Sequence, residues 1–299
     1  MERAASRPGR LTPAVLARWP LPKPPEDADK EVRGHVLVVA GSDEMPGAAL
    51  LAAVAALRAG AGKLTIAAPA AIAPGLAFAI PESRVIGLPQ ARSGGLLVRG
   101  TESLAATAHL VSALVVGPGM QQERAVVGFV RALMPLFGHA TVVLDALAMS
   151  LVRTGAVDQP AVLTPHAGEM AYLSGSTKEA VCEDPVGAAR EAATRWNACV
   201  ALKGGRTIIA SPDGGLWQFD GGSAGLATSG SGDTLAGLMG GLAARGLPPL
   251  AACAWGVVAH ASAGAALSRS HGPLGYLARE LAGELPARLH ALGKRRGAN

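Results

Sequence analysis

Leu226-Ala227-Thr228-Ser229-Gly230-Ser231-Gly232-Asp233 runs straight into Thr234-Leu235-Ala236-Gly237-Leu238-Met239-Gly240-Gly241-Leu242. Small residues come first, then a single acid, then apolar residues at helical spacing. Leu235, Leu238, Met239 and Leu242 fall on one stripe. Gly246, Pro248 and Pro249 stop that pattern, so a helix is expected over about 233–245. Residues 229–233 then form its N-terminal loop. Glycines let backbone N–H groups point into open space, and the helix dipole adds positive charge there. Such a loop suits a phosphate. Asp233 is out of place beside an anion. It has two explanations: it caps the helix, or it takes a proton from a hydroxyl that attacks the phosphate.

The whole-chain totals narrow the field. The chain has 299 residues, 49% of them hydrophobic and 16% charged, enough apolar surface for a sizeable core. Aromatic residues make up only 3%, which leaves no stacking platform for single-stranded nucleic acid, and no nucleic-acid partner is expected. The net charge of +5 is concentrated at the ends, in Arg3, Arg7, Arg10 and Lys294-Arg295-Arg296, and also suits a substrate rich in phosphate. Cys182, Cys199 and Cys253 are scattered and odd in number, without Cys-x-x-Cys. Neither zinc nor a disulfide framework is indicated, and a cytoplasmic location is expected. The N-terminus lacks the apolar core of a signal peptide. Residues 247–267 carry no Asp, Glu, Lys or Arg, but they open on prolines and include His260. They read as a buried helix, and no membrane partner is expected.

Taken in order, the chain opens with a proline- and arginine-rich extension, 1–34. Thr12 and Pro13 start a short helix there, and Leu21 to Pro25 forms a stiff linker. His35 to Ala40 is a buried strand ending at Gly41-Ser42. A helix from about Pro46 to Ala59 follows, with Leu50, Leu51, Val54 and Leu57 on one stripe. Gly60-Ala61-Gly62 ends it before the strand Lys63 to Ala68. Neither Gly-x-Gly-x-x-Gly nor Gly-x-x-x-x-Gly-Lys-Ser/Thr occurs at this turn. Further strands are expected at Arg84–Leu88, Leu114–Val116, Thr141–Leu144, Ala161–Leu163 and Ala198–Leu202. Residues 89–100 read as loop and 183–197 as a polar helix. Thr207–Ala210 and Leu216–Phe219 form a hairpin across Asp213-Gly214-Gly215. The rest is helical, over about 233–245, 249–269 and 277–292. Strands alternating with helices predict one three-layer α/β/α domain over 35–292, followed by a basic tail, 293–299.

Several strands end in residues that favour a ligand: Gly117-Pro118-Gly119, Asp145, and Thr164-Pro165-His166 with Gly168-Glu169. Lys203-Gly204-Gly205-Arg206-Thr207 offers an ammonium, glycine amides and a hydroxyl to an anion. Together with the Gly-Ser-Gly-Asp string and the first strand–helix–strand unit, including Gly47-Ala48-Ala49-Leu50, these segments resemble the ADP/ATP-dependent NAD(P)H-hydrate dehydratase family of the ribokinase-like superfamily. The resemblance covers roughly residues 11–292, and its specificity lies in six segments matching in order.

The resemblance implies a ribokinase-like α/β/α sandwich with a mostly parallel central sheet. It implies that Asp233 is the catalytic base and that Ala48, Gly117, Gly119, His166 and Asp233 meet NADH or NADPH hydrate. Lys203, Gly204, Gly205, Arg206, Thr207, Gly230, Ser231 and Gly232 would meet ADP or ATP as co-substrate. Mg²⁺ would bridge the phosphates with few protein ligands of its own. A homo-oligomer, a tetramer, is expected from family habit and from the need to bury 247–267 against core or partner. One departure stands out. Where the family reads Asp-Ala-Asp-Ala-Leu-Asn, this chain reads Asp145-Ala146-Leu147-Ala148-Met149-Ser150. Two readings compete with repair: a kinase of the same superfamily acting on a vitamin-precursor alcohol, and a nucleotide sensor without turnover.

Overall fold

A computed structural model describes residues 7–23, 25 and 29–294. Most of the basic tail, together with Arg3, Pro24 and Glu26 to Ala28, lies outside the described residues. The strands are β1 (Gly9–Arg10), β2 (His35–Val39), β3 (Lys63–Pro69), β4 (Arg84–Leu88), β5 (Ala113–Val116), β6 (Thr141–Leu144), β7 (Ala161–Leu163), β8 (Cys199–Leu202), β9 (Thr207–Ala210) and β10 (Leu216–Phe219). The helices are α1 (Pro13–Leu16), α2 (Pro46–Arg58), α3 (Ala73–Ala79), α4 (Glu102–Ala105), α5 (Glu123–Leu133), α6 (Ala167–Ser174), α7 (Lys178–Glu183), α8 (Pro185–Trp196), α9 (Ser231–Ala244), α10 (Pro249–His271) and α11 (Ala278–Lys294). One sheet holds the strands in the order β1-β10-β9-β8-β7-β6-β5-β2-β3-β4. Its neighbouring pairs are parallel except β8–β9 and β9–β10.

Alternation along the strands divides the core in two. Val36, Val38, Val115 and Val143 face the layer built from α2, α9, α10 and α11. Leu37, Val39, Leu114, Val116, Val142 and Leu144 face the opposite layer with Phe129, Val130, Met170 and Trp196. Helices therefore cover both faces, as an almost wholly parallel sheet requires.

In the helix after β2 the leucine stripe packs at the edge of the core, and alanines are buried most deeply. Its buried face is Ala48, Ala49, Ala52, Ala53, Ala55 and Ala56, while Leu50, Leu51, Val54 and Leu57 are only half-buried. The reason lies across the interface. A Cβ on Gly237 would overlap the Ala52 carbonyl oxygen, and one on Gly241 would overlap the Ala56 carbonyl oxygen. Helices α2 and α9 thus meet backbone to backbone, and alanine and glycine are the residues that permit it. The polar helix read over 183–197 is α8, and the short helix α7 precedes it. Asp184 ends α7 and caps α8, its Oδ1 accepting from the Gly187 amide at 2.8 Å.

At the N-terminus Thr12 caps α1 as expected, accepting from the Val15 amide at 3.3 Å. The preceding strand β1 pairs with β10 at the sheet edge. Trp255 Nε1 donates to the Trp19 carbonyl at 2.7 Å, and Arg245 ties the Pro22 and Ala59 carbonyls together. Helix α10 is long and apolar enough to cross a membrane by length and composition, yet 78% of its most apolar window is buried inside the fold. The chain's own core buries 247–267, so that segment gives no support to the expected oligomer.

Gly237→Ala tests the close approach. Alanine favours a helix by about 1 kcal/mol over glycine. Overpacking against a fixed carbonyl costs about 1–3 kcal/mol and should win. Gly283, in α11 with open space around it, is the control. Urea denaturation should show Gly237→Ala destabilised and Gly283→Ala stabilised by about 0.5–1 kcal/mol. An unchanged midpoint for Gly237→Ala would refute backbone contact between the two helices.

Candidate active site

A cleft of about 660 Å³ opens where β2, β5, β6, β7 and β8 end, under the N-termini of α2 and α9. Carboxyl ends of parallel strands are where open α/β sheets bind ligands. Its walls include Glu44, Met45 and Ala48 after β2, Gly119 to Gln122 after β5, and Asp145 to Leu147 after β6. Glu169 follows β7, Lys203 follows β8, and the α9 loop supplies Ser229, Gly230, Gly232 and Asp233. A larger recess of about 790 Å³ lies at the other end of α2 and α9, around Arg58 and Arg245. Among the described residues it meets none of these strand ends and no carboxylate lines it, whereas the smaller cleft holds several acids.

Helix α9 starts at Ser231, two residues earlier than expected. Gly230 is its N-cap, with φ of 87°, a conformation that glycine adopts without strain. Asp233 is therefore the third helical residue, and no side chain caps this helix. The helix-cap explanation of Asp233 does not hold. The Ser231 amide bonds back to the Thr228 carbonyl at 3.2 Å and the Thr234 amide to the Gly230 carbonyl at 3.1 Å. Gly232 and Asp233 occupy the positions between, where a first helical turn leaves its amides without intrahelical acceptors.

Burial first, and then the charge of Asp145, push the Asp233 carboxyl up to about 6, while Lys203 pulls the other way. Asp145 is itself 4% exposed and accepts from Thr164 Oγ1 at 2.5 Å. Lys203 Nζ lies 3.6 Å from Asp145 Oδ1 and 3.9 Å from Glu169 Oε2. It also lies beside Gly232, where a Cβ would come 3.5 Å from the ammonium. Next to Asp145, Ala146 holds φ of 48° in the left-handed region, a strain that a non-glycine residue rarely carries outside functional loops.

The glycine loop after β5 divides in two. Gly119 (φ 66°) borders the cleft, where a Cβ would come 2.6 Å from the Ala48 Cβ. Gly117 stands behind the wall: its φ is 122°, and a Cβ would overlap the Asp145 carbonyl oxygen. His166 caps α6. Its Nδ1 accepts from the Gly168 amide at 3.0 Å and the Glu169 amide at 3.2 Å, while Glu169 Oε2 accepts from the His166 amide at 2.8 Å. With Nδ1 accepting, Nε2 carries the ring proton. The ring is exposed at the margin, and Glu169 rather than His166 borders the cleft. Gly204, Gly205 and Arg206 are exposed beyond Lys203, with Arg206 Nε 3.9 Å from Asp220. Thr207 opens β9. The structure thus brings Ala48, Gly119, Lys203, Gly230, Gly232 and Asp233 to one cleft, and leaves Gly117, His166, Gly204 to Thr207 and Ser231 outside its lining.

Glu44, Gln121, Asp145 and Glu169 also line the cleft; the sequence noted Asp145 and Glu169 at strand ends without giving them a role, and did not point to Glu44 or Gln121. Gln121 Nε2 donates to Glu44 Oε2 at 2.8 Å, joining two loops far apart in the chain. For Asp145 and Glu169 a signal existed, the strand-end acid and the acid closing Thr-Pro-His-x-Gly-Glu. For Glu44 and Gln121 there was none.

The parallel sheet, the strand-end cleft and the glycine-capped helix bearing an acid define a ribokinase-like α/β protein. The sequence profile of the NAD(P)H-hydrate dehydratase family matches residues 36–287, and the chain belongs to that family. It is 47% identical over 282 residues to the ADP-dependent (S)-NAD(P)H-hydrate dehydratase of Xanthomonas campestris, covering 94% of this chain and 96% of that one. It is 39% identical to the bifunctional NAD(P)H-hydrate repair enzyme of Moorella thermoacetica, covering 93% of this chain but 53% of that longer one. The crystal structure of the ADP/ATP-dependent NAD(P)H-hydrate dehydratase of Bacillus subtilis, co-crystallised with ATP/Mg²⁺, superposes with a TM-score of 0.84 at 30% identity, covering 96% of this chain and all of that one.

A carboxyl raised to about 6 binds its proton more tightly in the folded protein than in the unfolded chain. The ionised group therefore lowers stability above pH 6, and this cost disappears as the pH falls towards 4. Asp233→Asn should raise Tm at pH 7.5, with the gain shrinking towards zero near pH 4. An unchanged Tm at pH 7.5 would show that the carboxylate is not penalised by its site.

Proposed function

We propose that this chain restores NADH or NADPH from its hydrate by an ADP- or ATP-dependent dehydration. The observation that carries this is Asp233: half-buried, uncapped, raised to about 6, and sharing a cleft with Lys203. A base with a pKa near the working pH takes a proton efficiently. In this reading the hydrate hydroxyl gives its proton to Asp233 as its oxygen attacks the terminal phosphorus of the nucleotide. The bond from that phosphorus to the bridging oxygen breaks, and the shortened nucleotide departs. Phosphate then leaves carbon with its bonding pair, and the neighbouring carbon loses a proton to solvent, the electron pair of that C–H bond restoring the double bond. Water is a poor leaving group and phosphate a good one, which explains why a nucleotide is spent.

The open amides of Gly232 and Asp233 and the Lys203 ammonium stabilise charge on the moving phosphoryl group. Gly119 and Ala48 form the opposite wall, for the hydrate. His166 Nε2–H serves the margin as a donor, and the Gly204 to Thr207 loop meets the nucleotide further out. Asp145 and Glu169 supply hard oxygens of the kind Mg²⁺ takes, but no group of three or more ligating side chains gathers among the described residues. Mg²⁺ would then enter on the phosphates, Asp145 and Glu169 would be the residues to hold it, and it would supply charge neutralisation. The three cysteines are free, in keeping with a reducing cytoplasm. The vitamin-precursor kinase is disfavoured by the relatives' shared activity, and the sensor by an intact Asp233.

Return of the near-ultraviolet band of reduced nicotinamide, with hydrate, Mg²⁺ and ADP or ATP, tests the proposal directly. Asp233→Asn should lower turnover by about 10²–10⁴ while nucleotide binding holds or tightens, because a carboxylate no longer faces the phosphates. Near-normal turnover would remove Asp233 from the chemistry.

Lys203→Ala and His166→Asn separate the two ligands. Lys203→Ala should weaken nucleotide binding, measured by calorimetry, more than it raises KM for the hydrate. His166→Asn keeps a good helix cap, so Tm should hold while KM for the hydrate rises. Equal effects on both ligands would contradict the division of the cleft.

A further inference from the structure

Helix α10 is buried along most of its length by alanine, glycine, valine and tryptophan. His260 is the one buried polar side chain on it among the described residues, apart from the Cys253 thiol. An imidazole placed in such surroundings costs free energy unless its nitrogens are satisfied. Nε2 lies 3.1 Å from the Ser231 carbonyl oxygen and 3.2 Å from Ser231 Oγ. A carbonyl oxygen can only accept, so Nε2 carries the proton, and Oγ meets that same N–H as a second acceptor.

Ser231 is the first residue of α9, between Gly230 and the two open amides. Its carbonyl is the first in that helix, and the ring grips it from 29 residues away in sequence. Thr234 holds the same turn from another side, its Oγ1 donating to the Gly230 carbonyl at 3.1 Å. Glycines on both sides of Ser231 leave the backbone itself little stiffness. Burial holds the ring down to about 4, so it is neutral, a hydrogen-bond donor without charge, at pH 7.

We propose that His260 is a positioning residue for the anion site: its Nε2–H bond to the Ser231 carbonyl fixes the first turn of α9, and with it the Gly232 and Asp233 amides and the Asp233 carboxylate. This rests on the reading that the turn meets the nucleotide phosphates. The effect is preorganisation, since donors aimed in advance lose nothing to reorientation when charge develops.

The test uses His260→Leu, which removes the donor, and His260→Gln, whose amide nitrogen reaches about as far as Nε2. With folding checked by circular dichroism, MgADP affinity is measured by calorimetry, and kcat and KM are measured separately. His260→Leu should weaken MgADP at least tenfold and lower kcat at least tenfold, with KM for the hydrate within about twofold. His260→Gln should recover both to within about threefold. MgADP affinity and kcat close to wild type in His260→Leu would overturn the proposal, as would equal losses in the two variants, which would point to ring volume. Should the variants fail to fold, nitrogen-15 correlation spectra of the wild-type imidazoles decide. A protonated Nε2 and bare Nδ1, unchanged from pH 5.5 to 8, supports the bond; the opposite tautomer overturns it. The affinity and tautomer measurements need no hydrate turnover, so they fail independently of the proposed activity.

Discussion

The backbone contact between α2 and α9 is the constraint on which the site depends. Gly237 and Gly241 bring α9 onto the carbonyls of Ala52 and Ala56, and Gly240 brings it onto Val115 of the sheet, where a Cβ would overlap the valine side chain. Both helices begin at the cleft. A shift of one by the width of a methyl group would move Ala48 and Gly119 relative to Gly230 and Asp233. Close-packed interiors transmit such displacements rather than absorbing them. The alanine-rich composition, with few aromatics, suits a fold in which helices must lie this close to each other and to the sheet.

Within that frame the cleft gathers negative charge. Asp145, Glu169 and Asp233 all border it, with Lys203 between them. Asp145 is the more buried; it accepts from Thr164 and faces Lys203. Asp233 has the field of Lys203 and, among the described residues, no hydrogen-bond donor, so burial and the charge of Asp145 win.

Much of this was legible in the sequence, and what was missed has physical causes. The strand runs, the hairpin and the helix stops read correctly because β-branched runs and glycine–proline punctuation act locally. The deeply buried alanine face of α2 carries no such signal, because the close approach of the partner helix, not apolar spacing, demands it. The start of α9 was misplaced by two residues because Ser-Gly-Asp reads as loop on propensity alone; Gly230 in the left-handed region shows where the turn closes. The pairing of Glu44 with Gln121 and the grip of His260 on Ser231 are tertiary, and no spacing in the chain announces them.

The position of Asp233 inside the helix, rather than at its cap, bears on the chemistry. A capping carboxylate spends its lone pairs on the helix amides, and such bonds hold it ionised and weakly basic. At the third helical position the same side chain leaves those amides to a ligand and keeps its own oxygens free. Glycine at the cap makes this possible, because Gly230 closes the turn through its backbone conformation without contributing a side-chain acceptor. In the proposed reading the turn would present donors to an anion and, on the same turn, the carboxylate that would act as base. These are the two groups that transfer of a phosphoryl group to a hydroxyl needs side by side, and a helix capped by Asp233 itself would offer neither.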